Sequence, residues 1–169
     1  QGLEGTTNML SKFTGTSTLG NSNISDNGTL VSITTNATVN GLSIGRGPGN
    51  FDSNSVLGLN SLASNTNGIN NTAFGLQALL NNTIGNSNTA LGRDALYSNI
   101  GGSNNVAIGK SAMLYNTSGS SNISIGLDSE LNNTTGNDNV AVGQIALRLN
   151  TIGSQNTAVG RGALGATIA

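Results

Sequence analysis

Apolar and small residues recur along this chain at a fixed step. An apolar side chain stands at Leu57, Phe74, Leu91, Ile108, Ile125, Val142 and Val159, seventeen residues apart each time, and each is followed by a glycine, Gly58 through Gly160. A small residue comes three positions after that glycine (Ser61, Ala78, Ala95, Ala112, Ser129, Ala146, Ala163). Next comes a second apolar column, Leu62, Leu79, Leu96, Met113, Glu130, Leu147 and Leu164, with Glu130 its one polar member. Polar columns share the step. Asn54, Asn71, Asn88, Asn105, Asn122, Asn139 and Asn156 lie four residues before the glycines, and Asn65, Asn82, Asn99, Asn116, Asn133 and Asn150 seven after. A second glycine follows ten after the first, at Gly68, Gly85, Gly102, Gly119, Gly136 and Gly153. A strict step of this kind means one small unit stacked repeatedly.

Seventeen residues are too few for a helix-pair repeat and suit one turn of a β-solenoid. The fold class expected is all-β, a parallel β-solenoid of 17-residue turns. The Asn-Thr-Ala-Leu-Gly segment alternates in character and is expected to form a short strand, with the residue before the glycine facing inward. Copies would pair in parallel at about 4.8 Å, so seven turns would make a rod about 30–35 Å long. The second leg, as in Gly75-Leu76-Gln77-Ala78-Leu79-Leu80, fits either a short helical turn or a second strand with Leu79 in and Leu80 out; the strand is the expectation. The glycines and asparagines are expected at corners of positive φ, with stacked asparagines also able to form an amide ladder.

The array occupies residues 50–169, and its last turn degenerates at Gly165-Ala166-Thr167-Ile168-Ala169, read as a junction or terminal cap. Residues 1–49 do not follow the step. They are expected to form an irregular β-rich shaft or N-terminal cap, with a turn at Asp26-Asn27-Gly28-Thr29 between two β-prone runs. Leu42-Ser43-Ile44-Gly45 reads as a stray strand, and Gly47-Pro48-Gly49 as a break before the array. A chain opening on Gln1 is expected to be a fragment or processed product.

Composition changes the picture in two ways. Asn, Gly, Ser and Thr dominate, which alone would suggest disorder, but the fixed apolar columns argue against it. A net charge of −1 gives no electrostatic reason to expect nucleic acid or an anionic membrane as partner. No apolar run approaches the roughly 20 residues of a membrane span, and neither end has a signal-peptide pattern. Each turn orders many residues around few buried apolar side chains, so the coil is expected to associate with copies of itself. The stripe Ala63, Leu80, Tyr97, Leu114 and Leu131 is the expected contact.

Two resemblances follow from the unit. Asn105-Val106-Ala107-Ile108-Gly109-Lys110-Ser111-Ala112 resembles the head repeat of trimeric autotransporter adhesins, whose left-handed parallel β-rolls wind as trimers. The whole unit, as in Asn88-Thr89-Ala90-Leu91-Gly92-Arg93-Asp94-Ala95-Leu96-Tyr97-Ser98-Asn99, is more similar to repeats of phage tail-fibre proteins. The stretch from Thr7-Asn8-Met9-Leu10 to Leu19-Gly20-Asn21-Ser22, followed by Ser25-Asp26-Asn27-Gly28-Thr29, is similar to segments of tail fibres and large surface proteins. These resemblances imply a left-handed β-roll wound as an intertwined or side-by-side homotrimer. The implied role is a structural segment of a virion tail fibre, serving as spacer and receptor contact for a cell-surface glycan or protein. A bacterial trimeric surface adhesin or extracellular filament is the alternative.

Candidate chemistry is sparse. With no histidine and no cysteine, the commonest general base and the thiolate ligands are missing, and no catalytic, cofactor-binding or metal-binding residue is expected. Leu91-Gly92-Arg93-Asp94-Ala95 partly resembles the hexapeptide motif of left-handed β-helix acyltransferases, which use a catalytic histidine. Asp94 and Asp128 share a column two turns apart, about 9.6 Å at the strand spacing, within the roughly 5–10 Å of a glycosidase pair. Surface charge accounts for them better, so a glycan-active enzyme is the weakest reading. Arg93, Lys110 and Arg161 share the column after the glycine, but Leu59, Leu76, Leu127 and Gln144 interrupt any basic stripe. Thr66, Thr83, Thr117, Thr134 and Thr151 suggest a row of turn hydroxyls rather than an ice-binding face.

Overall fold

The computed structural model of the chain describes residues 9–13, 19–26, 31–33, 37–39, 42–48 and 53–165. The chain divides into two compact units, Gln1–Ala37 and Thr38–Ala169. In the first, β1 (Met9–Phe13) pairs antiparallel with β2 (Leu19–Asp26), and β2 pairs antiparallel with β3 (Val31–Ile33). The β2–β3 hairpin closes with Asp26 opposite Val31. This agrees with the turn signal there, although residues 27–30 themselves lie outside the described set, as do Gly49 and residues 166–169. A short strand, β4 (Ala37–Val39), spans the division between the units.

The second unit is a β-solenoid. β5 (Leu42–Gly45) runs antiparallel to β6 (Ser55–Gly58), with Ile44 opposite Leu57. From β6 onward the strands are parallel: β7 (Thr72–Phe74), β8 (Thr89–Leu91), β9 (Val106–Ile108), β10 (Ile123–Ile125), β11 (Val140–Val142) and β12 (Thr157–Val159). The register never slips: Thr72, Ala73 and Phe74 face Thr89, Ala90 and Leu91, each pair seventeen residues apart. The sequence step is therefore one turn of the coil, and about six turns separate β6 from β12.

The strand orientation is the reverse of the expected one. Ala73, Ala90, Ala107, Ala141 and Ala158 point inward and are buried, together with Ser124 and Val56. The larger residues beside the glycines turn outward, with Leu57, Phe74, Leu91 and Ile125 between 36 and 47% exposed. Size decides this. The space between the strand and the second leg is also filled by Ala78, Ala95, Ala112 and Ala146, and by Leu62, Leu79, Leu96, Met113 and Leu147, all buried. With Leu or Met already filling most layers, the strand has room only for a small side chain, a methyl group in most turns and Val56 in the first.

The second leg is neither a strand nor a helical turn. Residues 75–82 form a run of turns in which Gln77 (φ 59°) and Leu79 (φ 53°) are left-handed, and the pattern repeats at Asp94 and Leu96, Ser111 and Met113, Asp128 and Glu130, and Ile145 and Leu147. Alternating the sign of φ cancels helical coiling and leaves peptide groups directed along the rod axis. They pair between turns: Leu79 N–H donates to Ala95 O at 3.0 Å, and Asp94 N–H to Leu76 O at 2.9 Å. Leu79 faces inward as expected, and Leu80 is half-buried on the outer side.

Candidate functional site

The asparagine columns do not sit at the left-handed corners that their residue type suggested; those positions are held by other residues, such as Leu79 and Ser87. They are buried instead, and their amides stitch the turns together. In the first column the side-chain oxygen accepts the next copy's backbone N–H: Asn71 N–H to Asn54 Oδ1 at 2.8 Å, then Asn88 to Asn71 and Asn105 to Asn88, both at 3.0 Å. The amide of the same side chain donates to the second glycine of its own turn, as Asn71 Nδ2 does to Gly85 O at 2.9 Å. Asn82 Nδ2 donates to the same carbonyl at 3.0 Å. One carbonyl with two lone pairs thus clamps both asparagines of a turn. The second column also ladders along the axis, with Asn99 to Asn82 at 2.7 Å, Asn116 to Asn99 at 2.8 Å and Asn133 to Asn116 at 3.1 Å.

The two glycine columns answer to different constraints. Gly75 has φ +140°, and a Cβ there would lie 2.5 Å from Gly92 O in the next turn. Gly68 needs no unusual φ, but a Cβ on it would sit 2.5 Å from both Asn65 Oδ1 and Gly85 O. The first is a matter of conformation and space, the second of space alone.

The threonine column behaves similarly. Thr66 Oγ1 donates to Thr83 O at 2.9 Å, Thr117 to Thr134 O at 3.0 Å and Thr134 to Thr151 O at 2.9 Å, one full turn away each time. These hydroxyls bind turn to turn rather than closing a local turn.

Asp94 Oδ2 accepts from Arg93 Nε at 2.9 Å, an ion pair between sequence neighbours. Asp94 and Asp128 hold the same left-handed position two turns apart (φ 59° and 52°), so a backbone role accounts for both. Lys110 and Arg161 lie exposed in the Arg93 column. Among the described residues no three His, Cys, Asp or Glu side chains gather as a metal site, and no helix is long and apolar enough to cross a membrane.

One turn departs from the rest. Ser124, Ser129 and Glu130 are fully buried where most other turns place Ala, Ala and Leu or Met, the first turn carrying Val56 and Ser61 in the two small-residue columns. The serines are satisfied: Ser124 Oγ donates to Ser129 O at 2.8 Å, and Ser129 Oγ to Ala141 O at 2.9 Å. Both Glu130 carboxyl oxygens lack a hydrogen-bond partner. Burial pushes this carboxyl up to about 8, with the Asn139 side chain acting in the opposite direction. The apolar core is divided there, one cluster running from Val56 to Met113 and another from Ala141 to Ala158. The polar residue in the Leu column was plain in the sequence, but its isolation depends on packing.

The chain matches no family model, no curated protein and no solved structure. What the geometry establishes is a β-solenoid repeat protein whose polar columns are structural.

Proposed function

We propose that this chain is a stiff, self-associating segment of an extended surface fibre, of the phage tail-fibre kind, acting as spacer and point of receptor contact. The supporting observation is the outer face of the parallel sheet. Thr72 and Phe74, Thr89 and Leu91, Val106 and Ile108, Ile123 and Ile125, and Val140 and Val142 form two continuous outward columns of β-branched and apolar residues. A solenoid that needed only water around it would alternate apolar inside with polar outside. A contiguous apolar strip marks an association surface, and a repetitive coil has the same strip on every copy.

We assign self-association to the strand face in place of the expected Ala63, Leu80, Tyr97, Leu114 and Leu131 stripe, because Phe74, Leu91, Ile123 and Ile125 on that face are exposed large apolar residues while Leu80, Leu114 and Leu131 are half-buried. A homotrimer is the assembly we assign, in agreement with the resemblance to trimeric fibres. The reading includes no catalysis. A bacterial trimeric adhesin would use the same surface, and the likeness of Asn105–Ala112 to adhesin head repeats favours it as the second reading.

Sedimentation equilibrium tests the proposal. The expected mass is three times the 16.9 kDa of one chain, falling to one chain in an Ile108→Asp/Ile125→Asp variant that retains its β-sheet circular dichroism. A monomeric mass for the unaltered protein would sink the reading.

A further inference from the structure

The chain has only two tyrosines, and both line the same open depression. Tyr97 and Tyr115 come from consecutive turns and border a space of about 310 Å³ together with Gln77, Asp94, Ser98 and Leu114. Elsewhere on the rod, Thr, Ser and Asn side chains donate or accept between turns, as at Thr66, Ser103 and Asn86. Here the side chains of Gln77, Tyr97, Ser98 and Tyr115 make no hydrogen bond within the chain. Asp94, with its side chain only 14% exposed, gives one oxygen to Arg93 and leaves the other uncommitted.

We infer that this depression binds a neutral pyranose unit of a saccharide. The aromatic faces carry negative quadrupole density that attracts the polarised C–H bonds on one side of a sugar ring. A carboxylate accepts two hydroxyl protons, while the Gln77 amide and the serine and tyrosine hydroxyls both donate and accept. Three polar side chains beside two tyrosines and Leu114, in a volume suited to roughly one or two sugar rings, match the mixed lining of a small-ligand site. The Asp94 carboxylate disfavours acidic sugars, and Arg93 is already held by it. The columns explain why the site occurs once: the Tyr97 position is Leu80, Leu114 and Leu131 in neighbouring turns, and the Tyr115 position is Asn81, Ser98 and Asn132. Two adjacent departures from the repeat create a local site on a uniform surface. The inference rests on the fibre reading for the source of the saccharide, a cell-surface glycan, and not for the contact itself.

Saturation-transfer NMR on the full chain tests it, using the methyl glycosides of glucose, galactose, mannose and N-acetylglucosamine at millimolar concentration, with N-acetylneuraminic acid as the charged probe. The expected result is transfer to the ring protons of at least one neutral glycoside and none to the acidic sugar. Affinity should fall at least tenfold in Tyr97→Ala and in Asp94→Asn, and be unchanged in Ile152→Ala, whose side chain is exposed elsewhere on the coil. Thermal denaturation checks that each variant folds. Absence of transfer to every neutral glycoside, or undiminished binding in a folded Tyr97→Ala/Tyr115→Ala variant, would overturn the site. A folded trimer that binds no sugar defeats the site and leaves the fibre reading; a monomer that binds with this residue dependence does the reverse.

Discussion

Asn99 donates its side-chain amide to the Asn82 side-chain oxygen one turn away, at 2.7 Å, with both residues fully buried. Asn99 also donates to Gly102 O at 2.9 Å, and its own oxygen accepts from Asn116 at 2.8 Å. One side chain therefore serves three partners, in its own turn and in both neighbours. Replacing it with alanine strands the buried Asn82 side-chain oxygen and one N–H of the Asn116 amide, whose other bond to Gly119 O remains. At about 1–3 kcal/mol for each buried group left without a partner, Asn99→Ala should lose about 3–5 kcal/mol in urea denaturation. Asn67→Ala, on an exposed side chain outside the left-handed region, is the comparison for ordinary surface effects. A loss below 1 kcal/mol at Asn99 would contradict the clamp.

Two glycines of one turn separate geometric necessity from mere smallness. At Gly92, φ is +141° and a Cβ would lie 2.5 Å from Gly109 O. Gly92→Ala should therefore cost at least about 3 kcal/mol or prevent folding, because both conformation and space forbid it. At Gly101 a Cβ would meet only Ile84 side-chain carbons, at 3.5 and 3.6 Å, with no left-handed φ. Gly101→Ala should raise stability by about 0.4–1 kcal/mol through the unfolded chain's lost freedom. Equal effects at the two positions would refute the distinction.

These contrasts show what the residue string could and could not convey. The step of seventeen sets the turn length, so the one-to-one register of Thr72 on Thr89 was readable directly. The amide ladder was readable too, because identical asparagines stacked in register have little choice but to meet. The inward face was not readable. Alternation in Thr72-Ala73-Phe74 says that two faces differ, and general hydrophobicity favours Phe74 for the core. Only the width of the coil, set by Leu79 across from the strand, gives that place to Ala73. The second leg defeats propensity for a related reason: the inter-turn hydrogen bonds hold Gln77 and Leu79 left-handed, although neither residue type favours it. The Tyr97 and Tyr115 depression is invisible in sequence order, since eighteen residues separate the two rings until the coil brings their turns together.

Ile145 carries a cost that the fold did not remove. Its φ is 55°, in a column otherwise filled by Asn60, Gln77, Asp94, Ser111, Asp128 and Gly162. A β-branched residue in the left-handed region is an outlier, whereas asparagine tolerates it. Ile145→Asn should stabilise the coil by about 1 kcal/mol, read as a rise in the urea midpoint at unchanged slope. A drop in the midpoint would mean that the half-buried isoleucine packs well enough to outweigh its strain.

Glu130 gives the fold a pH dependence of definite sign. Its folded value is about 8 against an ordinary 4.5, with desolvation the leading cause. Below about 4.5 the carboxyl is protonated in both states and its contribution to stability is intact. Between about 4.5 and 8 the unfolded chain has lost a proton that the folded chain keeps, so stability falls as pH rises. The slope is about 1.4 kcal/mol per pH unit, reaching on the order of 4–5 kcal/mol before it levels off above 8. Glu130→Leu restores the apolar layer present in other turns and cannot ionise; Glu130→Gln cannot ionise but leaves polar atoms buried. Urea denaturation of the three proteins from pH 4 to 9 isolates the effect from that of the remaining carboxylates. The stability gap between Glu130→Leu and the unaltered chain should widen steadily up to about pH 8 and then stay constant, and the gap between Glu130→Leu and Glu130→Gln should not vary with pH. A gap of constant size for the unaltered chain would show that Glu130 reaches water, and the break it makes between the Val56–Met113 and Ala141–Ala158 clusters would then be a wet one.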